Sequence, residues 1–236
     1  MSKWLLLLLV LISVTACNKQ VTENVIVPDD TDYFPLSKGA FRIYQIDSIS
    51  YRDLEQDTIT TAYRLKEVLS DTFTDNSGHL AFRIMRYKQY PDKSGNYENQ
   101  PWQFFESTSL KGTNSEIQIV ENNQPYLRLV FPLNINKQWN GNAYNTLGIQ
   151  NYTVNYVDQE LKVFNKSVPT AKVTEKLSRT KLSLEEINKT YARGIGLIHG
   201  EYWDISTDQI DPLNEVEKHI KKGRVVKQDL IETGNE

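Results

Sequence analysis

The sequence predicts a mainly β protein, built as a single antiparallel, strongly curved sheet or a partly open barrel, with one or two short helices. Three observations carry this. Apolar and polar residues alternate with period two through one segment after another; β-branched and aromatic residues concentrate in those segments; and clusters of Asn, Asp, Gly and Pro separate them.

Residues 41–51 place Phe41, Ile43, Gln45, Asp47, Ile49 and Tyr51 on one face, while Tyr44 and Ile46 make the other face apolar too. Residues 59–69 form a second candidate strand. Thr74-Asp75-Asn76-Ser77-Gly78 then offers a turn, because Asn and Gly tolerate positive φ, and leads into a strand over 80–90. The pair reads as a long hairpin. Past a loop holding Pro91, Gly95 and Pro101, strands are expected over 102–110, 116–121 and 126–131, separated by Lys111-Gly112-Thr113-Asn114 and by Asn122-Asn123. This is a meander.

Later strands are expected over 152–158, 161–168, 171–177, 195–205 and 225–231. The best helix candidate is 184–192, where Ser183 and Glu186 fit a capping box and Gly194 could end it, with strand as the alternative for the same residues. A second helical turn is expected around 215–221. Phe34-Pro35-Leu36 before Phe41 is echoed by Phe131-Pro132-Leu133 before Trp139; each Pro marks an extended approach to a strand whose aromatic seals an edge of the core.

The amino terminus carries an address. Lys3 precedes an apolar run from Trp4 to Ile12, which is a signal peptide pattern. Taken as far as Val14, the run makes roughly 16 Å of helix against about 30 Å of bilayer hydrocarbon, so it cannot serve as a permanent span. Val14-Thr15-Ala16-Cys17 resembles the lipobox at which lipoprotein signal peptidase cuts ahead of a diacylglyceryl cysteine. The alternative is an ordinary secretory signal cut after Ala16, leaving a free thiol. Cys17 is the one cysteine of the chain, so lipidation accounts for it and disulfides are excluded. The expected organisation is a signal peptide over 1–16, a lipidated tether over 17–32 and one β-rich domain over 33–236. A tether of about 15 residues has a typical end-to-end distance of roughly 20 Å if it is a flexible coil. Asn18 in place of Asp after the cysteine favours the outer membrane, and the absence of an early acidic cluster favours its periplasmic leaflet.

Two segments carry a resemblance. Tyr33-Phe34-Pro35-Leu36-Ser37-Lys38-Gly39-Ala40-Phe41 and Tyr191-Ala192-Arg193-Gly194-Ile195-Gly196-Leu197 are similar, in order and separation, to segments of uncharacterised Bacteroidetes lipoproteins. That resemblance implies no particular activity. Fold analogy with curved-sheet envelope proteins adds a lipocalin-like or LolA-like half-barrel.

The chemical inventory is thin. Loss of residues 1–16 leaves 26 basic against 30 acidic residues, a balance of −4, and nucleic acid is not an expected partner. His79, His199 and His219 have no metal-ligand spacing, and neither a GxSxG nor a P-loop is present. Gly194, Gly196 and Gly200 do not make GxGxxG and read as close approach within a sheet. Asp47, Asp53, Glu55 and Asp57 could pair as glycosidase carboxylates but read as solvated acids, and Asp71, Asp75 and Asn76 lack the remaining ligands of a calcium loop. No catalytic residue, metal or cofactor is expected. Asp47-Ser48-Ile49 and Asp57-Thr58-Ile59 match an Asp-[Ser/Thr]-apolar O-glycosylation pattern.

Thirteen Tyr, eight Phe and four Trp are the compositional excess, and Trp102, Phe104, Tyr202 and Trp203 are the candidate ligand-binding residues. The function expected is a non-enzymatic, membrane-anchored envelope protein that binds an apolar ligand or a protein partner. An accessory subunit of an envelope complex and a glycan-binding or glycan-processing protein are the alternatives.

Overall fold

The computed structural model describes residues 29–53, 57–75, 78–210, 213 and 215–236. Cys17, the signal peptide, most of the tether, Glu55 and the turn residues Asn76 and Ser77 lie outside them. The fold is mainly β: one antiparallel sheet of twelve strands, almost closed into a barrel with a single seam. The strands are β1 (Ala40–Arg52), β2 (Asp57–Thr74), β3 (Leu80–Gln89), β4 (Gln103–Gly112), β5 (Glu116–Glu121), β6 (Gln124–Val130), β7 (Gln138–Asn140), β8 (Asn151–Val163), β9 (Lys166–Arg179), β10 (Ser183–Ala192), β11 (Gly196–Ser206) and β12 (Lys222–Asn235). Their order, β6-β5-β4-β3-β2-β1-β12-β11-β10-β9-β8-β7, makes two six-stranded meanders zipped together where β1 meets β12.

Local sequence explains most boundaries. Asn122 and Asn123 both take positive φ and close the β5–β6 hairpin, as Asn does at little cost. On β1 the row Arg42, Tyr44, Ile46, Ser48 is buried, whereas Asp47 of the opposite row is exposed; the pleat gives one face to the interior. Register carries that row across the sheet, with Glu67, Leu65, Tyr63 and Thr61 of β2 directly opposite. Ser48 is 1% exposed and its Oγ accepts from Arg224 Nε at 2.9 Å, so the first glycosylation match is sealed inside the folded barrel.

Three expectations need correction. Residues 184–192 are strand, bonded to β9 on one side and β11 on the other. The capping box does not form: Thr180 Oγ1 accepts from the Leu182 and Ser183 amides and makes a turn, not a helix start. The strand expected over 152–158 continues to Val163, and the one expected over 161–168 is divided between β8 and β9, because the reversal falls at Phe164-Asn165, where both residues have positive φ. β9 correspondingly runs from Lys166 through Pro169. Finally, the fold begins before residue 33. Asp30–Tyr33 form a 3-10 turn in which Asp30 and Tyr33 are buried, so Asp30, within the expected tether, is already packed into the fold. A short 3-10 turn at Val216–Lys218 matches the helical turn expected near 215–221.

The main core gathers Tyr33, Phe34, Leu129, Phe131, Trp139, Tyr152 and Tyr191 with aliphatic side chains of β2 to β9 at one end of the barrel. Phe34 and Phe131, the two aromatics of the Phe-Pro-Leu echo, meet in it. A smaller cluster of Leu184, Ile205, Val216 and Val225 lies beneath the β11–β12 connection, with Trp203 packed against it. At the start of β12, Gly223 has φ +125, and a Cβ there would fall 2.1 Å from Asp204 O and 2.7 Å from Ile205 Cα. Gly223→Ala is therefore expected to cost about 3 kcal/mol, from positive φ and overpacking together. Its urea midpoint should drop accordingly; an unchanged midpoint would show that β11 and β12 separate there without cost.

Candidate functional site

The two ends of the barrel differ. At the closed end, the segments at 33–41 and 191–197 pack on each other. Arg193 donates to Asp30 (2.7 Å), Asp32 (2.6 Å) and Asp158 (2.9 Å) and lies 4.3 Å from the centre of the Tyr33 ring. Leu133 N donates to Asp30 Oδ2 at 2.7 Å, Gly194 N donates to Asp32 O at 2.8 Å, and the Phe34 and Tyr191 rings are 6.1 Å apart. Gly196 has φ +98, and a Cβ there would come within 2.8 Å of the Arg42 guanidinium, which reaches past it to Ile195 O at 2.6 Å. Burial pushes the Tyr33 phenol up to about 12, so it stays protonated and donates to Asp158 at 2.9 Å. The chain thus enters the fold through a five-residue clasp of Asp30, Asp32, Tyr33, Asp158 and Arg193.

Above the apolar core, the interior turns ionic. Arg86 donates to Glu67 and Glu106, each at 2.7 Å, and stands 3.8 Å from Glu121. Arg128 donates to Glu121, to Glu175 at 2.7 Å and to Tyr152 OH at 3.4 Å; Lys189 Nζ lies 3.3 Å from Glu175 Oε1. Seven charged side chains, one from each of seven strands, so form one continuous band. Burial disfavours the charge on Arg128, but Glu175 and Glu121 outweigh it and hold the guanidinium protonated. Burial likewise raises Glu121, yet Arg128, Lys189 and Arg86 overcome this and keep its carboxyl below the usual range. Tyr44 and Tyr191 beside the band are raised by burial first and by Glu67 and Glu175 respectively, so both phenols stay neutral.

Where β6 approaches β7, the seam is bridged by Leu127 N donating to Gly141 O and by Trp139 Nε1 donating to Leu127 O, both 2.9 Å. Beside it opens a cavity of about 310 Å³, lined by residues of the ionic band and by Tyr126, Asn142, Leu147, Gln150 and Ile187. Nearer the open end, Lys88 Nζ sits 3.4 Å from the Phe105 ring centre and 4.9 Å from that of Tyr63, whose ring is 5.8 Å from Tyr90. Burial lowers the Lys88 ammonium, with partial relief from Glu106.

The four aromatic candidates do not converge. Trp102 lies just before β4; Phe104 is exposed and stacks edge-on with Tyr87 at 5.9 Å. Tyr202 and Trp203, being adjacent in β11, point to opposite faces, Trp203 into the smaller core. Phe104 and Trp203 belong to different regions of the sheet, separated by β3, β2, β1 and β12. Sequence reading missed Arg128 and Glu175. One signal was available: Arg128 interrupts the apolar run Leu127-Arg128-Leu129-Val130-Phe131, where a solvated arginine is out of place. Among the described residues, no group of three His, Asp or Glu side chains is arranged as metal ligands, and no helix is long and apolar enough to cross a membrane.

No family model matches the chain. No curated protein matches it. Among solved structures, it is similar to a Bacteroides fragilis protein whose name calls it exported and YmcC-like in fold, with 8% identity, a TM-score of 0.41 and coverage of 86% of this chain and 98% of that one. A protein of Parabacteroides distasonis, named as a lipoprotein, aligns with 11% identity and a TM-score of 0.42, over the same shares of the two chains.

Proposed function

We propose that the chain is a lipid-anchored envelope protein, held by Cys17, whose barrel is a non-enzymatic binding module for a protein partner at its open end. The observation that carries this is the polarity of the barrel along its axis. The Arg193 clasp brings the chain in at the closed end, so an anchor preceding residue 29 draws that end toward the membrane. The connections at 90–102 and 180–182 and the described residues between β11 and β12 lie at the opposite end. It carries Tyr90, Phe104, Phe105, Leu182 and Ile210, each between 42% and 66% exposed. Exposed aromatic and aliphatic side chains at the strand ends and loops of one end of a rigid scaffold are what a protein contact requires. An apolar small molecule is served less well, because the interior behind that end is filled by ion pairs and tyrosines.

Photo-crosslinking tests the reading in native membranes. A benzoylphenylalanine at Phe104 or Leu182 is expected to give a discrete adduct, and one at Phe164, exposed on the β8–β9 turn at the closed end, is expected to give none. Equal labelling from both ends would reject it. Cys17→Ser should abolish lipid labelling in the same cells.

A further inference from the structure

The seam cavity holds an observation that partner binding at the open end does not use. Arg128 and Glu175 line it, with side chains only 6% and 3% exposed, yet each keeps one buried polar atom without a hydrogen-bond partner among the described residues: Arg128 Nε and Glu175 Oε1. The other groups are committed. Arg128 Nη1 donates to Glu175 Oε2 and Tyr152, and Nη2 donates to Glu121. Glu175 Oε1 has Lys189 Nζ at 3.3 Å as an ion-pair neighbour, without hydrogen-bond geometry. Buried donors and acceptors left unmet cost about 1–3 kcal/mol each, so two of them on residues that line one cavity point to a place where a small adjustment would let matching groups be received.

Charge narrows what those groups are. The cavity is lined by Glu121, Glu175 and Glu185 and by Arg128, Lys176 and Lys189, three charges of each sign. Lys176 and Glu185 pair with each other at its margin and are partly exposed. A ligand with net charge would leave one set of lining charges uncompensated, whereas one carrying both signs leaves the site neutral. A donor at Arg128 Nε suits a carboxylate oxygen; an acceptor at Glu175 Oε1, shared with its ion-pair neighbour Lys189, suits an ammonium. Ile187 and Leu147 provide the apolar wall for a short side chain. The volume, about 310 Å³, is at the small end of ligand pockets.

We propose that the seam cavity binds a compact zwitterion, an α-amino acid or dipeptide with both termini free. Calorimetric titration of the intact, lipid-anchored protein in detergent is the test, using the twenty common α-amino acids and L-alanyl-L-alanine as probes. At least one zwitterion is expected to bind. Its N-acetylated and C-amidated forms, each stripped of one charge, should bind at least tenfold more weakly. Lys176→Gln and Glu185→Gln remove charges from the margin rather than the buried centre, so both should fold with little change in Tm and lose affinity about tenfold. Failure of the whole panel to bind would overturn the proposal. So would capped forms that bind as well as free ones, or affinity indifferent to both substitutions.

Discussion

Arg128→Met is expected to destabilise the barrel by about 3–5 kcal/mol, the cost of leaving buried carboxylates without their cation. For a domain of this size that is a fall in Tm of roughly 6–20 °C. The side chain is 6% exposed and bridges Glu121 on β5 to Glu175 on β9, thereby tying one meander to the other across the seam. Glu175, at 3% exposure, would keep only the lysine ammonium of Lys189. The effect should therefore be strongly coupled: Arg128→Met combined with Glu175→Gln is expected to recover a large part of the loss, because the stranded negative charge goes with its partner. A double-mutant cycle by thermal or urea unfolding checks this, with a coupling of about 0.5–3 kcal/mol expected. Strict additivity would mean that the two groups do not stabilise each other at all.

Arg193→Ala is the second large effect, again about 3–5 kcal/mol, because Asp30 is 2% exposed and would lose its ion-pair partner, keeping the Leu133 amide and the more distant charge of Lys137. Arg193→Lys should rescue little, since an ammonium cannot present three directed donors to Asp30, Asp32 and Asp158 at once. Acid should expose the same linkage. Arg193 donates to Asp158 and holds its carboxyl below the ordinary value of 3.8, against a smaller opposing effect of burial. A depressed carboxylate contributes stability above its unfolded pKa and loses it as pH falls through the folded one. The stability gap between the parent and Arg193→Ala should accordingly narrow below pH 3.8. Hydrogen exchange adds a local readout: the amides of Asp32 to Phe34 are expected to lose protection first.

How legible this was depended on which side of each strand carried the charges. β1, β5 and β11 could be read almost to the residue, because apolar alternation and turn residues such as Asn122-Asn123 act locally. β10 misled because its interior positions Glu185 and Lys189 look like a solvated face, although they line a polar cavity. Spacing alone then fits a helix as well as a strand. The break expected between 158 and 161 is a bulge, with Asp158 at φ +57, inside a strand that continues to Val163. β7 spans three residues and has no periodicity to detect. The site was less visible than the fold. Aromatic density drew attention to Trp102, Phe104, Tyr202 and Trp203, which tertiary structure disperses, whereas the ionic band is assembled from single residues of many strands and leaves no motif. Tyr33 to Phe41 and Tyr191 to Leu197 were legible as a pair of segments, but only the structure shows that Arg193 locks one onto the other.

The place of β12 in the sheet sets a timetable. The last strand along the chain is inserted at its centre, between β1 and β11, so until it arrives each meander presents an unpaired edge where the other should be. Hairpins such as β2–β3 or β8–β9 can form as they are synthesised, since their partners are adjacent, but the ring cannot close before residue 235 is available. A barrel whose closing strand lies so far along the chain from its partner β1 therefore keeps both meander edges unpaired until those long-range pairings form.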